Sequence, residues 1–399
     1  MKKTSLFLIF SFAIFLFSES CRRDFHIEEV DKVTDDLSLD GNLAGPLLDT
    51  KVRIEQFIVP EEDSSSWAEH DSNKLLHIRA LRKNFQSFQM KDIYKDAPLV
   101  TFPIPSGFFA PAGMFKFESR LYALDIFGPF ISGKFFIKAP KFTFHVESEA
   151  PILDTLQVNS IKLHNSKKHV YKEVKNISFS VNPATQQGVA KYSKLLVDTT
   201  KVADFPVHLS TLPQYASFDI STGNSKATRL PFKATGNEPV NVNLDMDFPL
   251  EIALVDLKMK EISDFDATEY NVDEIESAEF KIFFENAYPI DIDLQAYFVQ
   301  DENTIIPVDS LFEKSIKVPR GKVDKQNRVT ESTIKKEIVT MSKKRLERLK
   351  AAGVKKLVFY FTMNTPDAKT RRYMKILDGN FMGIRLGFKI NYKASITEL

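Results

Sequence analysis

The sequence is short of the residues from which reactive centres are built. It has one cysteine, Cys21, in 399 residues. That excludes an internal disulfide framework and any zinc site built on paired thiolates. Glycines number only 14, and among them there is no phosphate-binding loop, dinucleotide fingerprint or Gly-x-Ser-x-Gly elbow. Trp67 is the sole tryptophan, a poor supply of the aromatic faces that sugar platforms use. Neither charge dominates: 54 Lys and Arg stand against 53 Asp and Glu, a net charge of +1. Composition alone therefore selects no polyanionic partner. Long apolar runs are also missing. Leu6 to Phe17, broken only by Ser11, falls well below the roughly 20 residues that span a bilayer.

What is present begins at that run. Lys2 and Lys3 precede it and Ser18-Glu19-Ser20 follow it, directly before Cys21. A basic start, a short apolar core and a small residue before a cut make a secretory signal over 1–20. A cysteine immediately after such a cut resembles the bacterial lipoprotein box, and the loose form seen here resembles that of Bacteroidota lipoproteins. The resemblance implies a lipid on Cys21, tethering the chain to the cell envelope, with the outer membrane as the expected site. A plain signal peptide with an incidental cysteine is the alternative, but it leaves an exported free thiol unexplained.

The body of the chain reads as all-β. It is 43% hydrophobic and uses 35 Phe against 11 Tyr, a composition that favours packed sheets. Strict alternation, the mark of a half-buried strand, places Phe115, Phe117, Leu121 and Ala123 inward. It does the same for Phe142, Phe144 and Val146. It is cleanest through Ile384, Leu386, Phe388, Ile390 and Tyr392, after the Asp378-Gly379 turn signal. Residues 75–85 fit a basic amphipathic helix or a strand, with strand the preferred reading, and 61–73 read as a polar loop. One helix is expected, capped by Ser342, burying Leu346 and Leu349 and stopped by Gly353.

An internal repeat organises the pattern. Residues 141–158 and 279–296 align without a gap and share six identities: Phe142/Phe280, Glu147/Glu285, Pro151/Pro289, Ile152/Ile290, Leu156/Leu294 and Gln157/Gln295. Each copy is a strand, a break carrying proline, and a second strand. Proline cannot donate to a ladder and belongs at a bend, bulge or edge. A weaker third copy lies at 240–257, through Pro249, Ile252 and Leu254. The strand ending in Asn286, followed by Pro289 and a further alternating strand, resembles the late-embryogenesis-abundant or water-stress β-sandwich module, with Ser148 in place of Asn in the first copy. Residues 43–57 resemble a stretch near the start of many Bacteroidota envelope lipoproteins of unknown function. Neither resemblance implies catalytic residues. The expected architecture is therefore tandem antiparallel β-sandwiches with one or two short helices. Its parts are a tether arm over 21–50, a β region over 51–135, sandwich repeats over 136–235 and 276–399, and connecting strands over 236–275.

No constellation points to catalysis. The histidines, His26, His70, His77, His145, His164, His169 and His208, show no His-Glu-x-x-His or zinc spacing. Residues 164–169 could bring two imidazoles together across a turn, but read more simply as a solvated loop. Ser332 and Lys335 match Ser-x-x-Lys without its partner motifs. The chain is expected not to be an enzyme and to need no cofactor. Charge is nonetheless segregated: Glu261 to Glu279 holds eight acids and no base, and Met341 to Ile376 holds 11 Lys or Arg and two acids. Lys343, Lys344, Arg345, Arg348, Lys355, Lys356, Arg371 and Arg372 are thus a candidate patch for an anionic surface. The competing reading is solvated faces, or pairing between the two segments. Two functions stay open, a tethered structural or interaction module with an envelope partner and a carrier of an apolar ligand such as lipid. Nucleic acid is not an expected partner.

Overall fold

Alternating residues become strands where the pattern is strongest. Phe142, Phe144 and Val146 are buried while His145 and Glu147 stay half-exposed. The computed structural model describes residues 37–59, 65–95, 100–267, 275–301, 303 and 306–396. The fold is all-β and mainly antiparallel. Cys21 and the signal segment lie outside the described residues.

The chain divides into two units. The host unit holds 37–54, 254–368 and 379–396, and the inserted unit holds 55–253 and 369–378; the names refer to chain order. The strands used below are β1 (Leu37–Val52), β2 (Ser66–His70), β3 (Leu76–Gln89), β4 (Phe109–Ala110), β5 (Gly113–Glu118), β6 (Lys141–Ser148), β7 (Thr155–His164), β8 (Val170–Ser180), β9 (Lys191–Val197) and β10 (Tyr215–Asn224). They continue as β11 (Thr228–Arg229), β12 (Pro239–Pro249), β13 (Glu251–Asp264), β14 (Ile275–Asn286), β15 (Asp291–Val299), β16 (Asp309–Ser310), β17 (Ile316–Val318), β18 (Thr333–Ser342), β19 (Lys356–Asn364) and β20 (Met382–Ile396). The helices are α1 (Phe205–Leu209) and α2 (Lys343–Ala351).

In the inserted unit one sheet has the order β9-β6-β12-β3-β2 and the other β8-β7-β10-β5. In the host unit the orders are β18-β14-β20-β1 and β16-β15-β19-β13, with β17 also on β15. Read in chain order, β3, β5, β6, β7, β8, β9, β10 and β12 take the same places in one unit as β1, β13, β14, β15, β16/β17, β18, β19 and β20 in the other. Helix α1 falls between β9 and β10, and α2 between β18 and β19. The registers agree too. Phe142 lies opposite Val197 and Met246, and Phe280 opposite Val339 and Phe388.

The break inside each aligned segment has one physical design. Asn286 Oδ1 accepts from the Tyr288 backbone N–H at 2.9 Å, and Ser148 Oγ accepts from that of Ala150 at 3.1 Å. Both side chains are fully buried, so each hydroxyl or amide satisfies a backbone donor that the bend has removed from its ladder. Segment 240–257 has no such equivalence. Strand β12 lies between β6 and β3, the place of β20 and not of β14.

The boundaries differ from those expected. Residues 37–50 are not an arm but most of β1, paired with β20 from Leu37 opposite Ile396 to Val52 opposite Met382. The register shifts between Pro46 and Leu48, where proline has no N–H to give. Residues 66–70 of the expected loop form β2, with Trp67 opposite Arg79. Leu121 is exposed at 37%, because β5 ends at Glu118 and Ser119 Oγ instead accepts from the Phe218 N–H at 2.9 Å. Residues 76–85 fall on β3, a strand and not a helix, while Leu75 forms an isolated bridge to Leu377. In α2, Leu349 is buried and Leu346 packs against the core. Gly353 stops the helix with φ +65°, but Ser342 makes no side-chain capping bond.

The phenylalanines fill the cores. In the inserted unit Phe85 packs on Tyr122, Phe144 and Phe218 with centroids 4.9, 5.7 and 5.2 Å away. Edge-to-face geometry dominates, the arrangement ring quadrupoles prefer. The host core gathers Phe284, Leu294, Phe298, Leu349, Leu357 and Leu386.

Candidate functional site

The expected basic patch is largely committed within the protein. Arg345 Nε donates to Asp309 Oδ2 at 2.7 Å, and Arg348 Nη2 to the same oxygen at 2.6 Å. Arg345 also donates to the Ser310 and Thr340 carbonyls. Burial of Asp309 opposes its charge, but these bonds outweigh it and hold the carboxyl below its usual range. The two arginines thus fasten α2 to β16. Lys356 bonds Asp264 at 2.5 Å, a direct pairing of the basic segment with the acidic one. Arg371 and Arg372 belong to the inserted unit and the other six patch residues to the host unit. Arg371 lies over the Phe136 ring at 5.5 Å.

The expected loop at 164–169 is a tight turn. His164 is buried, with Nε2 at 2.9 Å from Ser217 Oγ and Nδ1 at 3.1 Å from the Lys168 carbonyl. Asn165 Oδ1 accepts from the backbone of Lys167 and His169. Among the described residues no group of three or more His, Cys, Asp or Glu is arranged to hold a metal ion. No helix among them is long and apolar enough to cross a membrane.

The densest polar chemistry lies on the outward face of β9-β6-β12-β3-β2. Register places Asp247 opposite Arg79 and Lys141, and Asp245 opposite Leu81 and Thr143. Arg79 binds Asp245 Oδ2 at 2.7 Å and Glu69 Oε1 at 3.1 Å, and His77 Nδ1 sits 2.7 Å from Asp247 Oδ1. Trp67 Nε1 donates to Glu69 Oε2 at 3.1 Å. Burial works against the Arg79 charge, but the bond to Asp245 and the fields of Asp247 and Glu69 more than offset it, so its pKa is raised. His77 Nε2, Arg79 Nε and Asp245 Oδ1 are buried without a protein partner. Covered by neighbouring atoms, they cannot meet a ligand, and the cluster acts as a fixed polar layer joining β2, β3 and β12.

Beside this layer is an open depression of about 410 Å3, lined by Leu81, His145, Glu147, Tyr192, Lys194 and Asn243. Tyr192 is 70% exposed, and its hydroxyl donates to Glu147 Oε1 at 2.9 Å. That bond and the carboxylate's charge push the phenol pKa up. Imidazole, carboxylate, ammonium and amide thus surround one exposed ring, an arrangement suited to polar and aromatic contact with a partner surface. Alternation marks these residues as outward-facing, but sequence could not gather them, since they come from β3, β6, β9 and β12.

Comparisons with known proteins assign neither a family nor an activity. No protein-family model matches the chain, and no curated protein does. Among solved structures, a candidate secreted protein from Parabacteroides distasonis is 12% identical, with 88% of this chain and 99% of that chain covered and a TM-score of 0.41. The tandem CBM22 domains of Paenibacillus barcinonensis Xyn10C are 6% identical over 88% and 98% of the two chains, at a TM-score of 0.17. The VP2 subviral particle of infectious bursal disease virus is 8% identical over 95% and 77%, at 0.18. Similarity this low transfers no activity.

Proposed function

We propose that this chain is a membrane-tethered cell-envelope lipoprotein, anchored through Cys21 and acting as a non-catalytic interaction module. The observation that carries the reading is the outward face of the inserted unit's five-stranded sheet. Arg79, Asp245, His77 and Asp247 are locked to one another, while Tyr192 and the depression around it stay open. A prefixed polar face with an exposed aromatic suits recognition of another envelope protein more than bond making. The nested correspondence of strand order supports descent of both units from one duplicated sandwich, a scaffold for presenting surfaces. The carrier alternative draws less support, since the phenylalanines that motivate it pack ring on ring between the sheets.

One experiment tests both halves. Cells producing the chain are labelled with a radioactive fatty acid, with and without Cys21→Ala, and a photoreactive amino acid replaces Tyr192. Label lost in Cys21→Ala, together with a discrete cross-linked protein adduct from position 192, is the expected result. Label that persists in Cys21→Ala overturns the anchor. Absence of any adduct at 192, with one obtained from exposed Val170 instead, overturns the assigned face.

A further inference from the structure

Two segments far apart in sequence, 101–113 and 225–237, meet in the inserted unit as a narrow ribbon. Strands β4 and β11 pair Phe109 with Arg229 and Ala110 with Thr228. The ladder continues through Gly107 N–H to the Leu230 carbonyl at 2.8 Å, Leu230 N–H to the Phe108 carbonyl at 2.9 Å, and reciprocal bonds between Ile104 and Ala234. Ile104, Ala110, Leu230 and Ala234 are buried and fasten the ribbon to its unit. Phe108 and Phe109 are 47% and 57% exposed. The Arg229 guanidinium lies 4.8 Å from the Phe109 ring centroid.

The charge pattern is one-sided. Segment 101–113 carries no charge, and 225–237 carries Lys226, Arg229 and Lys233 with no acid; all three cations are exposed. The carboxylates bonded to these segments are committed to their backbone. Asp154 accepts from the Ser225 N–H and hydroxyl, and buried Glu238 accepts from the Thr235 and Gly236 N–H groups. Two adjacent exposed phenylalanines on a ribbon that carries three exposed cations and no acid match the boundary of an anionic bilayer. Ammonium and guanidinium groups meet phosphates there while aromatic rings enter the acyl edge. Arginine stacked on Phe109 keeps the cation at the depth of the ring.

We propose that this ribbon is a membrane-docking tip for anionic phospholipid. The inference goes beyond the interaction reading and does not depend on Cys21. It also assigns the membrane-facing role to cations other than those of the 341–376 segment, where composition concentrates them.

The test uses the full chain carrying Phe109→Trp, mixed with phosphatidylglycerol–phosphatidylcholine vesicles whose acyl chains are brominated. The wild-type chain, with Trp67 alone, is the control, and Phe108→Trp is a second reporter should the first fold poorly by circular dichroism. Quenching at position 109 or 108 beyond the control is expected. At roughly 1 kcal/mol for each cation, Lys226→Ala, Arg229→Ala and Lys233→Ala together should weaken the docking that this signal reports about 150-fold. A folded, vesicle-bound chain with neither reporter quenched, held by its N-terminal run alone, overturns the proposal and leaves the ribbon to a protein partner. Equal quenching on purely phosphatidylcholine vesicles overturns the role of the cations.

Discussion

Replacing Asn286 by alanine should loosen the host unit at its bend. The side chain makes three bonds: Oδ1 accepts from the Tyr288 N–H at 2.9 Å, and Nδ2 donates to the Ile290 carbonyl at 2.8 Å and the Pro319 carbonyl at 3.1 Å. Asn286, Tyr288 and Ile290 are all buried, so water cannot readily replace the lost partner. A net bond contributes about 1 kcal/mol, and a buried group left unsatisfied costs about 1–3. Together these predict a loss of about 3–4 kcal/mol in local stability. Asn286→Ser keeps an acceptor for Tyr288, as Ser148 does for Ala150, and should cost only about 2 kcal/mol. With two units a single unfolding midpoint would mix transitions, so amide hydrogen exchange over β14 and β15 is the appropriate measurement. Asn286→Ala should speed exchange there at least 100-fold, and Asn286→Ser clearly less. Equal rates in the two variants would refute the claim that the acceptor oxygen holds the bend.

Two further predictions concern single positions. Because the Asp309 carboxyl titrates below its unfolded value, its bonds to Arg345 and Arg348 contribute stability in full above about pH 4 that is lost as pH falls through the lowered pKa. Exchange of α2 amides should accelerate over that acid range, and Asp309→Asn should remove the pH dependence. Gly223 has φ +156°, and a Cβ there would stand 2.0 Å from the Gly113 carbonyl oxygen. Gly223→Ala should therefore destabilise the inserted unit by more than about 3 kcal/mol in urea unfolding followed by Trp67 fluorescence.

The strand class, the break within the aligned segments and helix α2 were all legible in the order of the amino acids. Each rests on a local rule: period-two burial through Phe142, Phe144 and Val146, a proline that cannot donate, and leucines three apart ahead of a glycine stop. The sequence also aligned 141–158 with 279–296, segments whose strands take corresponding places in the strand orders of the two units. Features that depend on remote partners emerge only on folding. Strand β1 finds its ladder in β20, across nearly the whole chain, so the local sequence over 37–50 read as an arm. Arg345 and Arg348 looked like a free basic patch until folding brought Asp309 beneath them. Phe109 and Arg229 meet only because two distant segments pair. Local pattern reports which face of a strand is buried; only the folded chain decides which strands, and which charges, come together.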